Sequence, residues 1–334
     1  MRAIGDLASF MISSQLQARI SSAANVSAQE ATTGLAHDKA RHLGGSTMAI
    51  SLLERKSQLL EQHQRGISEA AIFAGATQSV LGRIQDQIGD LATDLSLSSQ
   101  LQNAMEIKTL SSTAAETMID AVNSLNVEVA GRHLFSGTAT GTKPLPDGAT
   151  LLENLRSDIA GSATPGDAIA AVDAWFDTPA GAFETLAYSG STTGFASIPI
   201  RDDETVTFGL RADGETVREM LKALSFAALA SDPSLGFDVA DQKTLLDQGF
   251  GSLIKVDRQI TEERSGLGLT EAMIEASRVS VETDLERIAR DRLKLIGVDQ
   301  FKVTSEFEAA QQQLEIFYRI AARQGQVSLA EYLR

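Results

Sequence analysis

Four histidines, His37, His42, His63 and His133, and no cysteine are all that this chain offers to metal or nucleophile chemistry of the familiar kinds. The nearest pair, His37 and His42, stands five residues apart, a spacing that does not turn both rings toward one ion from one helical face. Asp86, Asp90 and Asp94 do share a face at i, i+4 and i+8, but carboxylates in that pattern make a solvated face far more often than a site. Gly266-Leu267-Gly268 follows a helical segment and lacks the Lys-Ser/Thr of a phosphate loop. No nucleophile sits in a recognisable strand-to-helix elbow. The residues therefore predict no enzyme, with no catalytic, cofactor-binding or metal-binding group. Without Cys there are no disulfides either; this suits an extracellular protein that crosses a membrane unfolded, although a cytoplasmic protein can lack Cys as well.

Charge narrows the partners. The net charge is -15, and residues 138–249 hold 17 acidic and 7 basic side chains, so most of the excess sits there. An acidic surface repels phosphate backbones, which argues against nucleic acid and for a solubilising outer surface. No run approaches the ~20 apolar residues that a membrane helix needs, so no membrane insertion is expected. The start, Met1-Arg2-Ala3-Ile4-Gly5-Asp6, places an acid where a secretory signal would have its apolar core.

With chemistry set aside, the elements themselves carry the information. All six prolines (Pro144, Pro146, Pro165, Pro179, Pro199, Pro233) lie in the middle of the chain, leaving 1–143 and 234–334 without a helix breaker of that kind. Each flank carries an apolar residue every seven positions. Leu53, Leu60, Ile67, Ala74, Leu81, Ile88 and Leu95 form one stripe, and Leu253, Ile260, Leu267, Ile274, Val281, Ile288 and Leu295 the other. At 1.5 Å rise per residue each stripe is roughly 63 Å long. The expected fold is mainly α: a long antiparallel helical rod, coiled-coil-like, formed by the N- and C-terminal arms, with a small α+β insert domain. The competing reading, two ordinary bundle helices in chance phase, draws on the charged residues beside the stripes, Lys56, His63, Arg264 and Arg278. Aromatic content of only 5% also fits a rod better than a globule.

The chain ends read as helices short of a partner. Ile4, Leu7 and Met11, then Leu16 and Ile20, give a thin stripe among Ala and Ser, too weakly apolar to fold alone. Val303, Phe307, Ala310, Leu314, Phe317 and Ala321 alternate steps of four and three, a strict seam. The tail with Leu329, Tyr332 and Leu333 either frays or serves as a docking plug in an oligomer. Gly297 with Asp299, and Gly34 with Leu43-Gly44-Gly45-Ser46, divide each arm near its end. The expected layers are 1–45 with 299–334 (terminal, ordered on assembly), 46–137 with 250–298 (rod), and 138–249 (acidic insert). Gly75, Gly82 and Gly89, seven apart, mark either the close approach of a neighbouring helix or a coincidence, since interior helical Gly costs about 1 kcal/mol.

Inside the insert, Tyr188 to Ser189, Ile198 to Ile200 and Thr205 to Leu210 are strand candidates, the last two joined at Arg201-Asp202-Asp203-Glu204. Thr164-Pro165 opens a helix to Phe176, and a second helix runs from Glu215 to Ala230.

The segment Gly131, Arg132, His133, Leu134, Phe135, Ser136, Gly137 resembles the point at which the flagellar hook-filament junction proteins, the third hook-associated proteins of the flagellin-like family, enter their outer domain. Thr33-Gly34-Leu35, Arg264 with Gly268, and the closing Leu329-Ala330-Glu331-Tyr332-Leu333 match as well. Two features depart: His133 replaces an aromatic residue, and the acidic, Pro-bearing turn near Arg41 to Ser46 is missing. The resemblance implies a structural adaptor of the bacterial flagellum, extracellular and exported unfolded by the flagellar type III path. It would assemble as a homo-oligomer ring between the other hook-associated junction protein and flagellin. A cytoplasmic export chaperone would hold the seam at Phe307, Leu314 and Phe317 beforehand. The assembly interface would comprise the terminal apolar residues named above. Flagellin itself shares the layout, but five Asn and the ending Ala330-Glu331-Tyr332-Leu333 do not suit it. A soluble coiled-coil scaffold or signalling protein is the reading from another class.

Overall fold

The computed structural model describes residues 2–96, 103–194 and 196–332. In chain order the elements are α1 (Arg2–Thr33), α2 (Lys39–His42), α3 (Met48–Leu95), α4 (Ala104–Leu125), β1 (Glu128–Val129), β2 (Arg132–His133), α5 (Gly148–Ile159), α6 (Pro165–Asp177), β3 (Ala196–Arg201), β4 (Glu204–Phe208), α7 (Glu215–Leu229), α8 (Val239–Ile296) and α9 (Gln300–Tyr332). The protein is mainly α, with two small antiparallel hairpins, β1-β2 and β3-β4, among the described residues. The chain forms two compact units, Met1–Glu61 with Val281–Arg334, and Gln62–Ser280.

In the first unit, α1 ends where Gly34 takes a left-handed φ of 69°, a conformation only Gly adopts without penalty. The α8 to α9 junction lies beside it: Ala36 N–H donates to Ile296 O at 2.8 Å, and Val298 N–H to Gly34 O at 3.0 Å. Asp299 Oδ1 then accepts from the amides of Phe301 and Lys302 at 3.0 and 3.2 Å, starting α9. The short α2 is tied down by an ion pair from Lys39 to Glu54 on α3. The hydrogen bond from Lys39, helped by the charge of Arg292 on α8, holds the Glu54 carboxyl below the usual range. Leu60, Val281 and Ile288 are buried here, while Leu53 and Leu295, at the end of each stripe, are half-buried.

In the second unit the stripe residues Ile67, Ala74, Leu81, Ile88 and Leu95 of α3, and Leu253, Ile260, Leu267 and Ile274 of α8, are all buried. The two helices run antiparallel. Gln85 Nε2 donates to Asp257 and to Thr261, each at 2.9 Å, while its Oε1 accepts from Arg264 at 2.5 Å. The seven-residue count thus aligns two seams, and a polar ladder beside them fixes the register. Gly82 lies under the Arg264 guanidinium, where a Cβ would meet Nη2 at 3.4 Å, but Gly75 and Gly89 face open space. Close approach along that glycine line therefore holds within the chain at Gly82 alone.

The first arm is not one helix to residue 137. It stops at Leu95 and resumes at Ala104, where Asn103 Oδ1 accepts from Glu106 N–H at 3.0 Å. Neither Pro nor Gly marks the described helix ends: Ser96 Oγ donates to Thr93 O at 2.7 Å at the end of α3 and Asn103 caps α4, residue types whose side chains compete for backbone hydrogen bonds. Turned back, α4 packs on α7. Ile107, Ala114, Met118, Ala121, Val122 and Leu125 are buried, as is α7 from Met220 to Leu229. Ser111 Oγ donates to Ala228 O at 2.8 Å and accepts from Ser231 N–H at 3.2 Å, closing the end of α7.

The expected helices at 164–176 and 215–230 form α6 and α7. Thr164 and Asp167 make a reciprocal capping box. Lys222, buried in α7, reaches Asp177 of α6 and Glu219, both at 2.7 Å. Burial alone would push its pKa down, but the hydrogen bonds from these carboxylates outweigh that and hold it above the usual lysine value. Trp175, Phe176 and Phe183 pack with ring centroids 4.7 to 5.9 Å apart. Tyr188 and Ser189 are not a strand. A single π-helical turn, Phe183–Ala187, precedes them, and the Tyr188 hydroxyl donates to Ser191 O at 3.0 Å.

The β3-β4 hairpin forms as the alternation predicts, turning at Asp202-Asp203. Ile198, Ile200 and Val206 are buried on its inner face. It fastens to both long helices: His63 Nε2 lies 3.3 Å from Asp202, Ser277 Oγ donates to Glu204 at 3.2 Å, and Phe208 lies 6.1 Å from the Phe73 ring. Its backbone approaches α3 so closely that a Cβ at Gly66 would lie 2.2 Å from Pro199 O.

Candidate assembly interface

The terminal helices α1 and α9 pack along each other, and Gln17 Nε2 donates to the Tyr318 hydroxyl at 3.1 Å across the pair. Of the seam expected on α9, Val303 and Ala310 are buried; Phe307, Leu314 and Phe317 are half-buried and Ala321 is exposed. On α1, Ile20 is half-buried, whereas Met11 and Leu16 are exposed. Ile4 and Leu7 lie in α1, and Leu329 and Tyr332 in α9, by their backbone; Leu333 lies outside the described residues. The pair is thus brought together along α9's seam and only thinly along α1's.

Sequence reasoning followed that seam and missed the opposite surface. Phe10 is 72% exposed, with Ile12 and Met11 beside it, and α9 presents Ile316, Tyr318 and Ile320, each more than half exposed. The signal was present in the run Glu315-Ile316-Phe317-Tyr318-Arg319-Ile320, where apolar residues fall on both sides of the seam residue Phe317. An apolar group costs about 25 cal/mol for each Å² left in water, and clusters of them mark contact surfaces.

The Gly131 to Gly137 segment has a different task. Ala130 and Gly131, with φ of 51° and 80°, make the two-residue turn of the β1-β2 hairpin. Arg132 pairs with Glu69 of α3 at 2.6 Å, and His133 Nδ1 lies 3.0 Å from Asn126 O. Phe135 and Ser136 are fully buried, with Leu134 half-buried beside them. Backbone groups from two later segments close on this stretch: Ser191 N–H donates to Ser136 O at 3.0 Å and Ala212 N–H to Phe135 O at 2.8 Å. Gly137 has φ of 61°, and a Cβ there would lie 2.8 Å from Ser191 O. The segment is a backbone joint on which the chain's excursion returns, a structural role rather than a chemical one.

Among the described residues no group of three or more His, Asp or Glu could hold a metal, and no helix is long and apolar enough to cross a membrane. The sequence matches the family model of the bacterial flagellin C-terminal helical region over residues 252–333. No curated protein matches the chain at a significant level. Solved structures similar to it include the crystal structure of Bacillus cereus FlgL, 12% identical, covering 75% of this chain and 100% of that one with a TM-score of 0.45. Another is a putative flagellar hook-associated protein from Vibrio parahaemolyticus, 13% identical, covering 73% and 99% with a TM-score of 0.43. Residues 252–333 are thus similar to the C-terminal helical region of bacterial flagellins.

Proposed function

We propose that this flagellin-like protein is a structural subunit of the bacterial flagellum, acting as the adaptor that joins hook to filament. Copies assemble as a ring between the other hook-associated junction protein and the first flagellins, after export in unfolded form through the flagellar type III path. The single observation behind this reading is the α1-α9 pair, which leaves Phe10, Met11, Ile12, Ile316, Tyr318 and Ile320 more than half exposed to water. Sister molecules and the neighbouring flagellar proteins cover these residues. Before export, a cytoplasmic chaperone shields the seam at Phe307, Leu314 and Phe317. No bond is made or broken; the work is coupled folding and burial. The acidic residues of 138–249 keep the exported protein soluble.

A filament subunit is the second reading, because the matched region is one of flagellins. Gene deletion separates the two. Loss of the junction adaptor leaves hooks bare, with flagellin spilled into the medium, as seen by electron microscopy and blotting of the culture fluid. If deletion leaves hook-filament junctions intact, the adaptor role is wrong.

A further inference from the structure

The α3 face at its N-terminal end is apolar and uncovered. Met48 is 75% exposed and Leu52 62%, with Leu59 also exposed. At steps of four and seven these residues share one helical stripe about 16 Å long. The exposed cations Arg55 and Lys56 lie on the same side of the helix and edge the stripe on its two flanks; neither forms an ion pair among the described residues. Farther along the same helix, the equivalent seven-residue positions are filled by Gly66, Phe73 and Val80, which are covered by the β3-β4 hairpin or buried in the core.

A surface of opposite character lies on α8. Leu269, Ala272, Ala276 and Val279 step by three, four and three and are all exposed, Leu269 to 75%. They occupy the side of α8 turned away from its buried stripe of Leu267 and Ile274. This stripe is about 15 Å long. One edge is acidic: Glu275 stands along it, also holding Arg278 at 2.6 Å. Residues 262–286 carry seven acidic side chains against two basic.

We propose that the α3 stripe of one copy docks on the α8 stripe of a second copy. The two stripes match in length. Large side chains, Leu52 and Leu59, meet the shallow places left by Ala276 and Ala272, while Arg55, on one flank, meets the acidic edge. Because the two patches differ, the contact is head-to-tail and propagates around a ring or along a helix rather than stopping at a dimer. This inference extends the assembly reading, which rests on α1 and α9, to surfaces that reading does not use.

The absence of native Cys gives a direct test. Two full-length variants, Leu52→Cys and Ala276→Cys, are purified separately, mixed under assembly in sulfate, and oxidised mildly. The expected result is a mixed disulfide dimer, forming at least several-fold faster than either variant dimerises alone or than Gln58→Cys pairs with Ala276→Cys. Adding Arg55→Glu to the first variant should abolish that preference. If the chains sediment together without the mixed disulfide, or Leu52→Cys dimerises with itself as fast, the docking inference falls while the assembly reading stands. If the chains neither sediment together nor cross-link, both fall.

Discussion

Replacing Gly66 by Ala should weaken the protein although it places a better helix former in the middle of α3. The added Cβ would lie 2.2 Å from Pro199 O, about 1 Å inside an ordinary carbon-oxygen contact. The obstacle is backbone, so no rotamer change removes it; either the hairpin lifts or α3 bends. Overpacking of this kind costs about 1–3 kcal/mol, and relief of glycine's helix penalty returns about 1 kcal/mol. The net expectation is a loss of up to about 2 kcal/mol, concentrated at the hairpin. Gly75→Ala supplies the control on the same helix, because its Cβ meets nothing within 4 Å. That variant should gain about 0.5–1 kcal/mol. Urea titration gives the two signs, and amide exchange shows where the Gly66→Ala loss falls: residues 197–208 should lose protection while α4 and α7 keep theirs. Equal stabilisation by both substitutions, with unchanged exchange in the hairpin, would refute the close-approach argument.

Other outcomes follow from particular contacts. Gly137→Ala should cost about 1–3 kcal/mol, from left-handed backbone and the 2.8 Å approach of Ser191 O together, and should raise proteolysis within 188–213. Thr164→Ala removes one half of the capping box and should lower stability by about 1 kcal/mol in a denaturant titration. Asp232→Asn bears on pH. Burial would raise this carboxyl, but hydrogen bonds from Ser234 and the pairing with Arg156 outweigh it and hold it below the usual carboxylate range. Its stabilisation is therefore present above the unfolded carboxylate pKa and is lost as pH falls through the folded value. The variant should be less stable near neutrality and should converge with the wild type in strong acid, as a pH series of unfolding midpoints would show. Lys222→Met should remove a stabilising component that persists from neutral pH until the medium passes the raised lysine pKa.

What could be read from the sequence was what is written locally or at a fixed period. The heptad positions from Leu60 to Leu95 and from Leu253 to Ile288 are buried on both helices because a period of seven holds one face toward one partner over many turns. Thr164-Pro165, Gly34 and Asp299 fix helix ends by their own chemistry, and the β3-β4 hairpin showed in its alternation. The break before α4 escaped because Ser and Asn stop a helix less visibly than Pro. Helix α5 passed unnoticed: Leu151, Leu152 and Leu155 are buried, but so short an apolar run gives little periodic signal. Tyr188 resembled a strand residue because aromatic residues favour strands, yet it is set by a hydroxyl bond three residues on. The demand for Gly66 was invisible, since the atom that forbids a side chain there belongs to Pro199, far along the chain. At the interface, the seam residues were legible by spacing; the apolar run around Phe317 hinted at Ile316, Tyr318 and Ile320, but their exposure, like that of Phe10 and Ile12, is a property of the packed pair.

The proposed role rests on the terminal helices being incomplete in a lone molecule. Hydrogen exchange of the full-length chain, followed residue by residue in a dilute sample and again after assembly, tests this most directly. The account predicts that amides of residues 4–31 and 303–321 exchange within seconds in the dilute sample, far faster than those lining the α3-α8 seam, and become protected on assembly. Equal, strong protection of these segments in the lone molecule would contradict it.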